Sequence, residues 1–419
     1  MRFNNRTRRR GTVAVLVALS LIMLVGFTAV AVDGGLLLHR EREVQSVADA
    51  AALAAADDLY YNYRLNQGVD VTGSAGKAAL QVAADNGFDS SIVTVNIPPK
   101  SGLFVKQAGY AEVIITYNQP RGFSGIFGTG GIPVAARAVA YGAWTPARIG
   151  ILLLDPSSSG AFYDNGGGTV NVAGVPIIVD SNSPTAMVAV GGATVTASEF
   201  DVTGVPGQSG SGSFSGTLYN GVPPTPDPLA YLPEPNPATM TVQATKNSGL
   251  HISGGNKTIQ PGYYSGGISV TGNGSLTMQP GIYYMDGGGF SFSGQGNLNA
   301  QGVMIVNNPQ QSSDTISISG SPGASIVLTP MTTGPYQGIS LWQTRTSTNT
   351  ISVSGNGSST ISGTFYAQHG TLNVTGNGGS DVLGAQYISY DLKISGNAGY
   401  NLNWNAAQVA RLRKLYLVE

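Results

Sequence analysis

The chain has 419 residues, 21 basic and 22 acidic side chains, a formal net charge of −1, 59 glycines and no cysteine. That balance excludes a global field for nucleic acid or an anionic surface, and zero cysteines exclude a disulfide scaffold and any Cys-ligated metal site. Residues 149–405 carry only four basic and eleven acidic side chains, far below the usual share of about 25%.

Five arginines (Arg2, Arg6, Arg8, Arg9, Arg10) precede an uncharged apolar run over residues 11–32. As a helix this run reaches about 33 Å, enough to cross a hydrocarbon core of about 30 Å. The arginines on its near side predict a cytoplasmic tail, residues 1–10, and export of everything that follows. Ala29-Val30-Ala31 also has the small-x-small pattern of a secretory cleavage site. The run is longer than a usual h-region and helical sequence continues past it, so the anchor is the preferred reading.

Val44, Val47, Ala48, Ala51, Ala55 and Leu59 then recur at steps of three and four, one face of an amphipathic helix. Joined to the apolar run, this makes one long helix with an expected bend near Asp33-Gly34-Gly35. Downstream, Ala83-Ala84-Asp85-Asn86-Gly87 leads into a strand over 91–97, a second strand covers 111–117, a short apolar helix covers 123–128, and small residues build a strand over 132–140.

The order of these pieces carries a resemblance. Arg8-Arg9-Arg10-Gly11, the apolar span and Ala48-Asp49-Ala50-Ala51-Ala52-Leu53-Ala54-Ala55-Ala56 resemble the TadG-like proteins of the tight-adherence (Flp) pilus assembly system, and the match extends to about residue 145. The resemblance implies a pilin-like α/β module at 33–145 and pilus or secretion assembly proteins as partners. Relatives processed as pilins carry glutamate five residues after the cleavage glycine. Leu16 stands there after Gly11, which favours a permanent anchor over release into a filament.

From residue 150 the period changes to two. Thr169-Val170-Asn171-Val172, Ala193-Thr194-Val195-Thr196, Ile316-Ser317-Ile318-Ser319, Ile351-Ser352-Val353-Ser354 and Thr371-Leu372-Asn373-Val374 alternate apolar and small polar residues. Glycine turns follow at Gly272, Gly294, Gly355, Gly376 and Gly396, at spacings of 22, 61, 21 and 20. Reading 61 as three periods predicts about twelve coils of a right-handed parallel β-helix over 146–405, with a β-sandwich as the competing architecture. The proline-dense stretch 222–237 reads as a loop leaving the stack. Residues 406–419 read as a C-terminal helical cap.

Chemistry is sparse. Between residues 240 and 400 the acids are Asp286, Asp314, Asp381 and Asp391, too far apart for a carboxylate pair on adjacent coils of regular period, although Asp381 and Asp391 fit one coil. Asp155, Asp164 and Asp180 near Asn165-Gly166-Gly167-Gly168 lack the spacing of a calcium repeat. His39, His251 and His369 have no nucleophile constellation. The expectation is no catalytic, cofactor or metal site. Tyr263, Tyr264, Tyr283 and Tyr284 are the candidate contact residues: alternation sends one of each pair outward, and the stacked outward rings make a candidate stripe for a cell-surface glycan or a partner.

These observations predict a mainly β protein of the inner membrane, single-pass with its N-terminus in the cytoplasm and its bulk periplasmic or extracellular. The expected role is structural or accessory in pilus assembly, without catalysis or nucleic-acid binding. A glycan-binding surface adhesin is the second reading, and a carbohydrate-active β-helix enzyme the third.

Overall fold

A computed structural model describes residues 9–172, 174–208, 212–244, 249–355, 357–376, 381–397 and 399–419. Arg2, Arg6, Arg8 and the turn residues Asn356, Asn377, Gly378 and Ala398 lie outside them. The chain divides into two compact units, Met1–Thr145 with Arg413–Glu419, and Pro146–Leu412.

The first unit packs helices on a sheet. One helix, Arg9–Tyr61, continues through Asp33-Gly34-Gly35, where the sequence predicts a bend. Neither glycine has a neighbour within 4 Å of a built Cβ, so nothing packs there to interrupt the ladder. The predicted face Val44, Val47, Ala48, Ala51, Ala55 and Leu59 is buried, together with residues of helix Ser74–Asp85 and strands Val93–Asn96, Tyr110–Gln119 and Ile132–Pro146. Alanine suits this face because the helix lies almost on the sheet backbone. A Cβ on Gly142 would sit 1.8 Å from the Ala56 carbonyl oxygen. The three strands are antiparallel, with Val93 opposite Ile115 and Tyr110 opposite Tyr141.

The fourth strand of this sheet comes from the other end of the chain. Residues 406–419 form no helical cap. Strand Arg411–Leu417 stands next to Ile132–Pro146 in the sheet, and Val139 donates to Glu419 O at 3.0 Å and accepts from Val418 N–H at 2.8 Å. An open strand edge offers a whole row of backbone partners, which outweighs the weak helical spacing of Val409, Leu412 and Leu415.

The second unit is a parallel β-solenoid of about eleven turns. Its strand pairs are parallel, which excludes the antiparallel sandwich. Three ladders form three faces. The first runs through Val242–Ala244, Gly262–Ser265, Gly281–Asp286, Val303–Asn308, Ile339–Gln343, the opening parts of Thr364–Thr375 and Gln386–Ser395, then Ile151–Leu153, Ile177–Val179 and the closing parts of Thr194–Val202 and Ser213–Asn220.

That order is permuted relative to the chain. The coil built last, around 386–402, stacks on the coil built first, around 151–172. Leu154 donates to Ser389 O at 2.9 Å, Tyr387 to Gly150 O at 2.8 Å and Asn165 to Ile394 O at 3.1 Å. Corner glycines continue across the seam. A Cβ on Gly396 would lie 2.1 Å from Gly376 O, and one on Gly166 would lie 2.6 Å from Gly396 O. The chain therefore enters the stack at an interior level, builds to one end at Asn220, crosses to the opposite end and builds back.

The crossing is the proline-rich segment, which lies on the stack instead of leaving it. Ten rung spacings of about 4.8 Å make roughly 48 Å, within the roughly 69 Å reach of residues 221–241 at about 3.3 Å each. Prolines suit a strap that must stay extended without strand partners. It descends along the outer first face: Thr225 N–H donates to Asp180 at 2.8 Å, Tyr366 donates to Asp227 at 2.7 Å, and Arg345 donates to Leu229 O at 2.9 Å and Leu232 O at 2.8 Å. Leu229 and Leu232 are buried against Leu152, Ile178, Trp342, Tyr366 and Ile388.

The coil period is less regular than the turn spacing implies. Gly294 to Gly355 spans two long coils, through Ile316–Gly320 to Ile351–Ser354, with loops at 309–315, 329–338 and 344–350.

Replacing Leu229 and Leu232 together by alanine removes the strap's two buried anchors. Each truncation costs about 2–5 kcal/mol, read as a lower urea midpoint for the solenoid. An unchanged midpoint shows that the strap is not part of the core.

Candidate functional site

The long helix presents two chemically different halves. Its C-terminal half is the buried alanine face described above. Its N-terminal half leaves Val15, Leu16, Leu19, Ile22, Met23, Phe27 and Val30 exposed, an uncharged and mainly apolar surface that water does not favour. It is long and apolar enough to cross a membrane. Where the apolar run ends, polar side chains fasten the helix to the module. The Asp33 carboxylate accepts backbone N–H bonds from Phe123 at 3.0 Å and Ser124 at 2.6 Å. Arg40 donates to Gln119 at 3.1 Å, pairs with Glu43 at 2.8 Å and lies 4.8 Å from the centre of the Tyr117 ring.

The C-terminal strand is locked at both ends. The Arg413 guanidinium sits 5.1 Å from the Tyr60 ring and 5.0 Å from the Trp144 ring, and Trp144 donates to Tyr60 O at 3.1 Å. At the other end Arg137 bridges Glu419 and the fully buried Glu112, the latter at 2.7 Å. Asn96 and the Lys100 N–H also donate to Glu112, at 2.8 and 3.1 Å. Burial alone raises the Glu112 carboxyl. Hydrogen bonds from Ser101, Lys100, Arg137 and Asn96 outweigh it and hold the group down at about 2.

One tyrosine of each candidate pair points inward and one outward. Strand register sets Tyr263 against Tyr284 and Gly262 against Tyr283. Tyr264 and Tyr283 point inward, stacked at 5.8 Å, and are buried. Tyr263 and Tyr284 point outward, stacked at 6.2 Å, but they join the apolar layer that includes the strap residues Leu229 and Leu232. Tyr284 is buried and Tyr263 half-buried.

Permutation, in contrast, gathers groups that look remote in the chain. A cavity of about 340 Å³ beside the strap is lined by Asp180, Asp227, Gln368, His369 and Tyr390 among others. Asp155 is held beside Asp391 at the seam, where its N–H donates to Tyr390 O at 3.1 Å. Burial pushes Asp164, Asp180 and Asp391 each up to about 6, with repulsion from Asp155 adding to the rise at Asp391. Most other acids brace turns: Asp314 accepts from Gln310 and Gln311 N–H, and Asp381 from Gly357 and Ser359 N–H. Asp381 and Asp391 fall within one turn of the solenoid, Asp381 beside strand Val382–Leu383 and Asp391 on the next ladder but one. Among the described residues no group of three or more His, Cys, Asp or Glu is placed to hold a metal.

Comparison with known proteins places one segment. A family model described as putative Flp pilus-assembly TadE/G-like matches residues 11–58, which fall within the long helix. Neither a curated protein nor a solved structure matches the chain.

The two units have opposite acid responses. A carboxyl raised on folding binds its proton more readily in the folded state, so the solenoid loses stability as pH rises from about 4 through 6 and is more stable at pH 5 than at pH 7. Glu112 is depressed, so its contribution to the module is kept above about 4.5 and lost as pH falls toward 2. Scanning calorimetry checks this: the solenoid transition rises between pH 7 and 5, and Asp180→Asn reduces that rise. A solenoid transition that falls over the same interval contradicts the assignment.

Proposed function

From the TadE/G-like Flp pilus-assembly segment at residues 11–58, we propose that this chain is a membrane-anchored structural accessory of a tight-adherence pilus assembly system. The observation that carries the reading is the coincidence of that match with the helix whose exposed half is apolar and whose other half is the packing face of the module. The arginines before the span support a cytoplasmic N-terminus, with the solenoid on the far side of the inner membrane. The module meets other pilus or secretion components, and the solenoid acts as a spacer or scaffold.

The role is non-catalytic. Most carboxylates of the solenoid are committed to turn backbone or to the strap, and burial of Tyr264, Tyr283 and Tyr284 weighs against the adhesin reading.

Two measurements test the proposal. Alkaline phosphatase fused after residue 145 is active in intact cells, whereas an inactive fusion reverses the orientation. Deleting the gene abolishes surface Flp-type pili, and re-expression of a chain lacking residues 13–32 does not restore them. Normal piliation in the deletion strain overturns the role, and turnover of a polysaccharide panel by the purified chain overturns the non-catalytic reading.

A further inference from the structure

We propose that the 3-10 segment Phe123–Phe127 is a second membrane contact, seated at the boundary of headgroups and acyl chains beside the long helix. The proposal rests on the reading that residues 11–32 span the bilayer, and four observations carry it.

The first is depth. Asp33 is the first charged residue after the span, so it marks the level at which the hydrocarbon ends. Its carboxylate holds the N–H groups of Phe123 and Ser124 at 3.0 and 2.6 Å, and a Cβ on Gly122 would lie 2.6 Å from the same carboxylate. The segment is therefore fixed to the helix at that level.

The second is composition. Residues 122–136 contain no charge, and Phe123-Ser124-Gly125-Ile126-Phe127 is the most apolar part. The third is exposure: Phe123 is 57% exposed, although a phenylalanine gains most from leaving water. Aromatic rings at the interface are the usual flank of a spanning helix. The fourth is what lies further out. Arg40 is about 10 Å along the helix from Asp33, bonded to Gln119 at the end of the strand that leads into the segment. A guanidinium at that height meets lipid phosphate while the ring below it meets acyl chain. Two attachment points fix the rotation of the helix about its own axis, which a single span leaves free.

The absence of cysteine makes the test direct. Single variants Phe123→Cys, Ile22→Cys and Leu103→Cys of the full chain are labelled with an environment-sensitive fluorophore. Each is reconstituted in vesicles of phosphatidylethanolamine and phosphatidylglycerol. Ile22, 69% exposed within the span, is the deep reference, and Leu103, 82% exposed in the module, is the aqueous one. The label at Phe123 should be blue-shifted, quenched more strongly by nitroxide near the lipid headgroup than by nitroxide at the chain end, and severalfold less quenched by iodide than the label at Leu103. If Ile22 is quenched from within the bilayer but Phe123 behaves like Leu103, the segment is a water-exposed or protein-binding loop and the proposal fails. If Ile22 is not quenched by lipid, the span itself is wrong and the proposal falls with it.

Discussion

A parallel coil satisfies its backbone only through the coils above and below, and this one requirement organises the solenoid. Interior rungs have a neighbour on both sides, and the chain supplies those neighbours out of order, leaving the one-sided positions to Val242–Ala244 and Ser213–Asn220. Strand Ile151–Leu153 has its partners in Ile177–Val179 on one side and in residues 387–389 on the other. A stack wound in simple chain order would leave the first coil as an open edge. Here that edge is closed from within the same chain, and the strap is the covalent consequence of closing it. The strap also settles the fate of the first face. Its outward residues Leu152, Ile178, Met304, Trp342, Tyr366 and Ile388 are apolar because they are covered, whereas the equivalent positions of the second face, Ser269, Ser291, Ser317 and Ser352, are small and polar.

The module obeys a different constraint, close approach. A helix of alanines can lie against a sheet backbone only where the opposing residue has no side chain, and Gly142 is that residue. The resulting layer is thin and has little apolar volume. Charge-assisted bonds supplement it, and they converge on the returning strand: Arg137 to Glu112 and Glu419 at one end, Arg413 over Tyr60 and Trp144 at the other. Arg137 thus shares its guanidinium between a buried carboxylate and the last residue of the sequence.

Much of this was legible from residue order. Spacing of three and four located the buried face of the long helix, and period two with glycine turns located the second and third faces of the solenoid. The first face escaped because its strands, such as Val303-Met304-Ile305-Val306 and Ile177-Ile178-Val179, are apolar on both sides and do not alternate. Those unbroken runs are the signal that a cover exists. Phrase spacing does not give register: Gln260-Pro261-Gly262 recurs at Gln279-Pro280-Gly281, 19 residues on, but the paired tyrosines are 21 apart. The terminal strand could not be seen at all, since its reason for being a strand is the free edge of Ile132–Pro146, more than 260 residues earlier. The seam groups were missed for the same reason. Asp155 and Asp391 are neighbours only once the stacking order is known.

The seam has a temporal meaning. A chain made from its N-terminus offers strand Ile151–Leu153 long before residues 387–389 exist. At about 5–20 residues per second the interval is roughly 10–50 s. Through that time the early coils expose an unpaired parallel edge, and the returning strand Arg411–Leu417 is still later. Both units therefore finish together, when the last few dozen residues arrive, and a chain interrupted before residue 386 has neither a closed stack nor a complete sheet. Until residues 387–389 arrive, the early coils keep an unpaired parallel edge open to neighbouring chains.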